Sequence, residues 1–285
     1  QGDGWQSSAS VQFRNFWRSS VLLSYAKRVW DDKLTRGGPT VIRPGNRGVT
    51  VSTSSDTRRR LAFSAAYAFT DRDYDAESHA SELQLVWRPA PALTVTAGPA
   101  ITHSIVAAQY LATVPDALAT RTFGARYVFG EMRQAQVSIT TRVNLVASPR
   151  TSLQVYLQPL VSAADYGAIK EVYAPRTFDF VRYGEDAGSI VDAGSRYTID
   201  PDGAGGASPF SIAKPDFNLR SLKANAIFRW EFRPGSSLFV VWTQQRRDRA
   251  PDGTFDFGAD AKRWFTARPD NVFLVKLSYW FGIDR

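Results

Sequence analysis

Apolar residues recur at every second position through much of the chain. In Asn271–Phe281 the odd positions Phe273, Val275, Leu277, Tyr279 and Phe281 form one continuous apolar face. Successive side chains of an extended backbone point to opposite faces, so this alternation predicts a strand. Lys276 and Ser278 lie on its other face, beside Leu274 and Trp280. Phe217–Phe232 repeats the pattern: Leu222, Ala224, Ala226, Phe228, Trp230 and Phe232 alternate with Ser221, Lys223, Asn225, Arg229 and Glu231. Ala135–Ala147 sets Val137, Ile139, Val143 and Leu145 against Gln136, Ser138, Thr140, Arg142 and Asn144, and Leu153–Val161 continues in kind. A helix would place Arg229 and Glu231 about 200° apart and break the two-residue rhythm.

The same reading gives strands at Ser8–Trp17, Val21–Tyr25, Gly48–Ser54, Leu61–Phe69, Leu83–Arg88, Leu93–Ala97, Ile105–Val114, Arg121–Phe129 and Leu238–Thr243. Arg18–Ser20 reads as a tight turn, and Gly98-Pro99 as a bend or strand end. Weak patterning marks residues 31–45, 165–215 and 246–270 as long loops, with short strands at Thr177–Tyr183 and Arg196–Ile199. Connections thus sort into tight ones at 18–20, 55–59, 89–91, 148–150 and 233–236 and the three long ones. The expected fold is all-β: an antiparallel up-and-down barrel of the outer-membrane type, with roughly 13 to 15 strands. Strands of about ten residues suit a tilted membrane crossing. Mid-strand charges such as Arg142, Lys223 and Arg229 fit a wet interior. A soluble sandwich also alternates, so it stays open as a second reading.

Composition narrows this. Mean hydropathy is -0.27, and no apolar run approaches the ~18 residues of a membrane helix. Neither fact bears against a barrel, where only alternate residues face lipid. Aromatics make up 13% with eight Trp, as interfacial girdles require. The chain has no Cys, hence no disulfide or thiolate metal site. Net charge is +8, but Lys and Arg are scattered rather than clustered, so no nucleic-acid partner is expected. Residue 1 is Gln and no leader pattern follows, which predicts a mature form or a portion of a longer chain. If short turns and long loops lie at opposite ends, the first and last strands run the same way; a further strand is then expected before residue 1.

Chemical motifs are sparse. His79 and His103 lack ligand spacing. No G-x-S-x-G or phosphate loop occurs. The loops holding Asp200 and Asp202, and Asp252 and Asp256, do not match a calcium loop. No catalytic residue, metal or cofactor is therefore expected. The functional candidates are mid-strand charges expected to face a lumen: Arg14, Arg126, Arg142, Lys223, Arg229, Glu231 and Lys276. They would favour anionic or hydroxyl-rich solutes; alternatively they pair with one another and with Glu82 to fill the interior.

Gly37-Gly38-Pro39, Ser54-Ser55-Asp56, Gly98-Pro99, Arg126-Tyr127-Val128-Phe129, Leu157-Gln158-Pro159, Tyr197–Gly203, Phe217–Ser221, Arg229-Trp230-Glu231, Pro234-Gly235-Ser236 and the final strand carry a resemblance. The chain resembles the C-terminal part of an uncharacterised bacterial family that couples a family 9-like carbohydrate-binding domain to an outer-membrane β-barrel. The resemblance implies that such a domain and earlier strands lie upstream. It brings no catalytic residues. Outer-membrane lipid and the barrel-assembly machinery are the expected partners, because a last strand apolar at Phe273, Val275, Leu277, Tyr279 and Phe281 resembles the signal that outer-membrane barrels present to that machinery. A saccharide or anionic solute is the expected cargo of a pore or uptake barrel. A plugged, partner-holding barrel and a soluble glycan-binding module are the alternatives.

Overall fold

The computed structural model describes residues 3–282. Its strands are β1 (Gly4–Gln12), β2 (Arg18–Ala26), β3 (Val29–Asp31), β4 (Val41–Arg43), β5 (Asn46–Ser54), β6 (Leu61–Arg72), β7 (Ala76–Ala90), β8 (Leu93–Pro115) and β9 (Ala125–Ser148). Then come β10 (Thr151–Val172), β11 (Phe180–Arg182), β12 (Ser189–Asp192), β13 (Arg196–Asp200), β14 (Phe210–Ala213), β15 (Phe217–Arg233), β16 (Ser236–Ala250) and β17 (Pro269–Ser278). One helix of three turns, α1 (Phe257–Thr266), lies between β16 and β17.

Eleven strands form one continuous antiparallel meander in the order β1-β2-β5-β6-β7-β8-β9-β10-β15-β16-β17, with β11 attached to β10. The all-β, up-and-down antiparallel expectation holds. The strand count does not: seventeen strands are present among the described residues, because small strands in the long connections carry too few residues to alternate visibly. Among the described residues the sheet is open, since β1 pairs only with β2 and β17 only with β16.

Several boundaries shift for identifiable reasons. Arg18 begins β2, and the first turn is residues 13–17; Phe16 adopts a left-handed φ of 65° and the Trp17 N–H bonds the Asn15 side chain. Pro99 does not end its strand. The β7–β8 ladder skips Gly98-Pro99, while the β8–β9 ladder runs straight through Pro99↔Ile139. A proline that lacks its N–H loses only the bond toward one neighbour. Pro159 behaves likewise: it pairs with Leu222 of β15, and the ladder to β9 skips it.

Strands β8, β9 and β10 are 23, 24 and 22 residues long and outrun their neighbours at one end. Their far ends are packed on both sides. Val128 and Ile169 join Tyr183, Tyr197, Ile199 and Ile212 in a cluster under the three-stranded β12-β13-β14 sheet. Phe129 and Val172 join Val41 and Phe180 beside the β3–β4 hairpin. Alternate residues thus enter opposite clusters.

Candidate functional site

Register assigns every meander residue to a face. One row runs Ala9, Val21, Val51, Tyr67, Ser81, Ile101, Val137, Val161. Another runs Leu61, Trp87, Val95, Val143, Val155, Ala226, Trp242, Phe273. On the same face Trp87 is 50% exposed, Phe273 71%, Val275 67% and Leu277 65%. Among the described residues no second sheet covers these exposed side chains. Tyr279 and Phe281 follow the same alternation just past β17 and are also exposed.

The opposite face lines a cavity of about 830 Å³ spanning β2, β5, β6, β7, β8 and β9. One cavity across six consecutive strands means that the sheet curves toward this face. Its wall is hydroxyl-rich: Ser20, Ser52, Ser64, Thr94, Thr96, Ser138 and Thr140. Cross-strand bonds knit the polar face, Ser20 to Ser52 at 2.7 Å, Gln134 to Ser162 at 3.0 Å and Asn225 to Thr243 at 2.9 Å. The charged lining is Arg18, Arg88, Arg142 and Glu82, three cations against one carboxylate. Arg88 donates to the Thr57 carbonyl at 3.0 Å, and Arg142 lies over the Tyr156 ring at 5.4 Å.

The apolar band slips along the strands. Its upper aromatic edge at Trp5 and Tyr25 is level with Ile105 of β8, through Arg47, Asp71 and Glu77. At the other side of the sheet, the edge at Trp242 and Phe273 is level with Val95. Ile105 and Val95 lie about ten residues apart, and ten strand spacings separate β1 from β17. A slip of ~3.4 Å per ~4.8 Å spacing is a tilt of about 35°. Strands of membrane barrels tilt by about 35–45°.

The charges singled out from the sequence divide. Arg142 lines the cavity. Lys223, Arg229, Glu231 and Lys276 share its face at β15 and β17, where Arg229 pairs with Glu231 at 3.1 Å. Arg14 sits in the first turn, outside the cavity. Arg126 lies at the far end of β9, buried between Asp116 and Glu171 at 2.6 Å each. Its charge is consumed in packing the β12–β14 side; Tyr183 adds a hydrogen bond to Glu171 at 3.0 Å. The Leu118 N–H, and then Arg126, hold the Asp116 carboxyl below its ordinary range. Burial, and then Glu171, push the Tyr183 phenol well above its own. His79 and His103 are cross-strand neighbours on the apolar face, and Tyr67 bonds His79 at 2.7 Å. No group of three metal-ligating side chains occurs among the described residues.

Sequence reasoning missed Arg18, which was read as part of a turn, and Arg88, which flanks one. It also missed α1. The segment read as a polar loop folds because Asp256 caps the helix by accepting from the Ala259 N–H, and Trp264 packs on Val161 and Leu222. Val161 and Leu222 belong to the apolar face, so α1 lies outside, opposite the cavity. The Trp264 indole N–H donates to the Leu160 carbonyl at 3.0 Å. Buried Asp260 accepts from Arg220 at 2.6 Å and from Asn218 at 3.0 and 3.1 Å. Arg246 donates to the Phe265 and Ala267 carbonyls at the helix C-terminus. Asn218 and Arg220 interrupt the apolar row of β15, the one trace in the sequence of something docked there.

A family model described as a domain of unknown function (DUF5916) matches residues 181–284, about a third of the chain. No curated protein matches. Among solved structures, the crystal structure of the siderophore receptor PiuA from Acinetobacter baumannii is similar, with a TM-score of 0.48 and 10% identity. The match covers 97% of this chain and 44% of that one, so the chain spans less than half of that receptor. A likeness this coarse bears on neither fold nor function.

Proposed function

We propose that this chain forms wall of an outer-membrane-type β-barrel whose concave, cationic and hydroxyl-rich face admits polar or anionic solutes, saccharides among them. The observation that carries the reading is the segregation of faces. Exposed Leu, Val, Phe and Trp rows occupy the convex side, and a polar cavity the concave side. In water the convex rows would be a costly exposed patch; in hydrocarbon they are at home. The tilt of about 35° supports the same reading, because a ~25 Å apolar band then needs about nine residues per strand. Strands β1, β2 and β5 have nine residues each and β17 has ten. No helix among the described residues is long and apolar enough to cross a membrane, so strands would have to do so. The test is fractionation followed by planar-bilayer conductance. The protein should require detergent for extraction and then conduct ions with anion preference. Recovery in the soluble fraction refutes the membrane assignment.

A second reading has its own support. By register the β12–β14 sheet packs on the same face as the cavity, through Arg126 and Val128 of β9. A mouth covered in that way suits a barrel that holds a partner or a plug. Membrane insertion without conductance would favour it over the pore.

A further inference from the structure

We infer that α1 is an interfacial foot, resting on the membrane surface and engaging the phosphates of anionic lipid headgroups. The inference rests on the membrane reading above and adds a site to it. Its first support is position. The helix packs on Leu157, Val161 and Leu222. With the slip of about one residue per strand spacing, the edge at Trp242 and Phe273 reaches β15 near Ala224 and β10 near Leu157, so Leu157 lies at the edge and Leu222 one same-face step beyond it. The helix therefore begins where the band ends on this side of the sheet, continuous with the lipid-facing surface.

The second support is chemistry. Asp260 and Trp264 face the sheet and are buried, while Phe265 is 70% exposed. Phe257 is also exposed. Lys262, Arg263 and Arg268 are exposed, and none makes an ion pair among the described residues. The helix's own acids are spent: Asp256 caps its N-terminus and Asp260 is bound to Arg220 and Asn218. The outward side is thus aromatic and purely cationic, the signature of a helix lying in the headgroup layer. Free cations beside an apolar edge complement phosphates, and each is worth about fivefold in preference for an anionic surface. Arg246, Asp260 and Trp264 fix the helix to the barrel, so the foot is held at one height instead of being free to seek it.

The chain's lack of cysteine allows single reporters. Phe265→Cys and Val275→Cys, each carrying a spin label, would be measured in reconstituted vesicles of phosphatidylcholine with and without phosphatidylglycerol. The expected result places the 265 label at headgroup depth and the 275 label in the acyl chains. In native mass spectrometry the variant K262Q/R263Q/R268Q should retain at least about fivefold less phosphatidylglycerol than the parent, with phosphatidylcholine unchanged. These side chains are exposed, and an unchanged circular dichroism spectrum would show that the fold survives. A 265 label in water with the 275 label in the acyl chains overturns the foot and leaves the membrane reading standing. A 275 label in water overturns both. Equal phosphatidylglycerol retention by variant and parent overturns the headgroup contact.

Discussion

Asp260→Ala tests how the outer helix is held. The parent carboxylate is 2% exposed and accepts from Arg220, from Asn218 on both oxygens, and from the Asp256 N–H at 3.1 Å. Truncation leaves the Arg220 guanidinium with only Asp248 at 3.2 Å. Removing one partner of a buried pair costs ~3–5 kcal/mol. Because Arg220 keeps one carboxylate, about 3 kcal/mol is expected here. The remaining anchors are the buried Trp264 with its indole bond, ~3 kcal/mol, and the Arg246 cap, ~1 kcal/mol. A helix of ten residues is marginal by itself, so an undocked α1 is also an unfolded one. A loss of about 3 kcal/mol should lower protection of the α1 amides in hydrogen exchange by about a hundredfold, and open the bonds after Lys262 and Arg263 to trypsin. Amides of β8 to β10 should keep their rates. If α1 exchanges within about threefold of the parent, the buried carboxylate does not seat the helix and the reasoning fails.

Further outcomes follow from the two faces and from the turns. Val21→Arg should impair folding into vesicles by ~2–4 kcal/mol, as expected for a cation facing mid-bilayer. The neighbouring Ser20→Arg, on the cavity side, should fold normally; equal effects would deny that the faces differ. The double variant R88E/R142E should reverse ionic selectivity in planar bilayers from anions to cations, and an unmoved reversal potential would take these residues off the path. Hydrogen bonds from the Arg58 side chain and backbone hold the Asp56 carboxyl at about 2, against an ordinary 3.8. Its folded-state value is depressed, so its contribution to the 55–60 turn is complete above the ordinary value and is lost as pH falls from about 4 to 2. An NMR titration of Asp56 checks the midpoint, and Asp56→Asn should abolish this part of the acid response.

Much of the meander was legible because one face is apolar and the other polar, which imprints a two-residue rhythm wherever both faces stay regular. The rhythm failed where a second layer covers the sheet. In β10 beyond Val161, Ser162, Ala163, Ala164 and Lys170 are all buried, so alternation by polarity disappears although the strand continues. Pro99 looked like a breaker because sequence alone does not say which neighbour its missing N–H would have faced. Arg142 was legible as a cavity residue because its strand is regular on both sides. Arg126 was misplaced because its alternation continues past the cavity into a packed region, where the same polar side meets Asp116, Glu171 and a small sheet instead of open space. Arg14 fell in the turn of residues 13–17, which follows the end of β1 at Gln12 and closes through the left-handed Phe16. The helix was hidden because its decisive partners, Asn218, Arg220 and Val161, are some 40 to 100 residues distant in sequence.

The unequal strand lengths have a consequence for reach. On the proposed membrane reading, with about nine residues spent inside a bilayer, β9 has some fifteen left over. At ~3.3 Å each and a lean of about 35°, they rise about 40 Å above the surface. Two packed clusters and the Arg126 ion pairs brace the far end of that projection. It would stand as a stiff mast, meeting whatever approaches from outside well before the approaching molecule touches lipid.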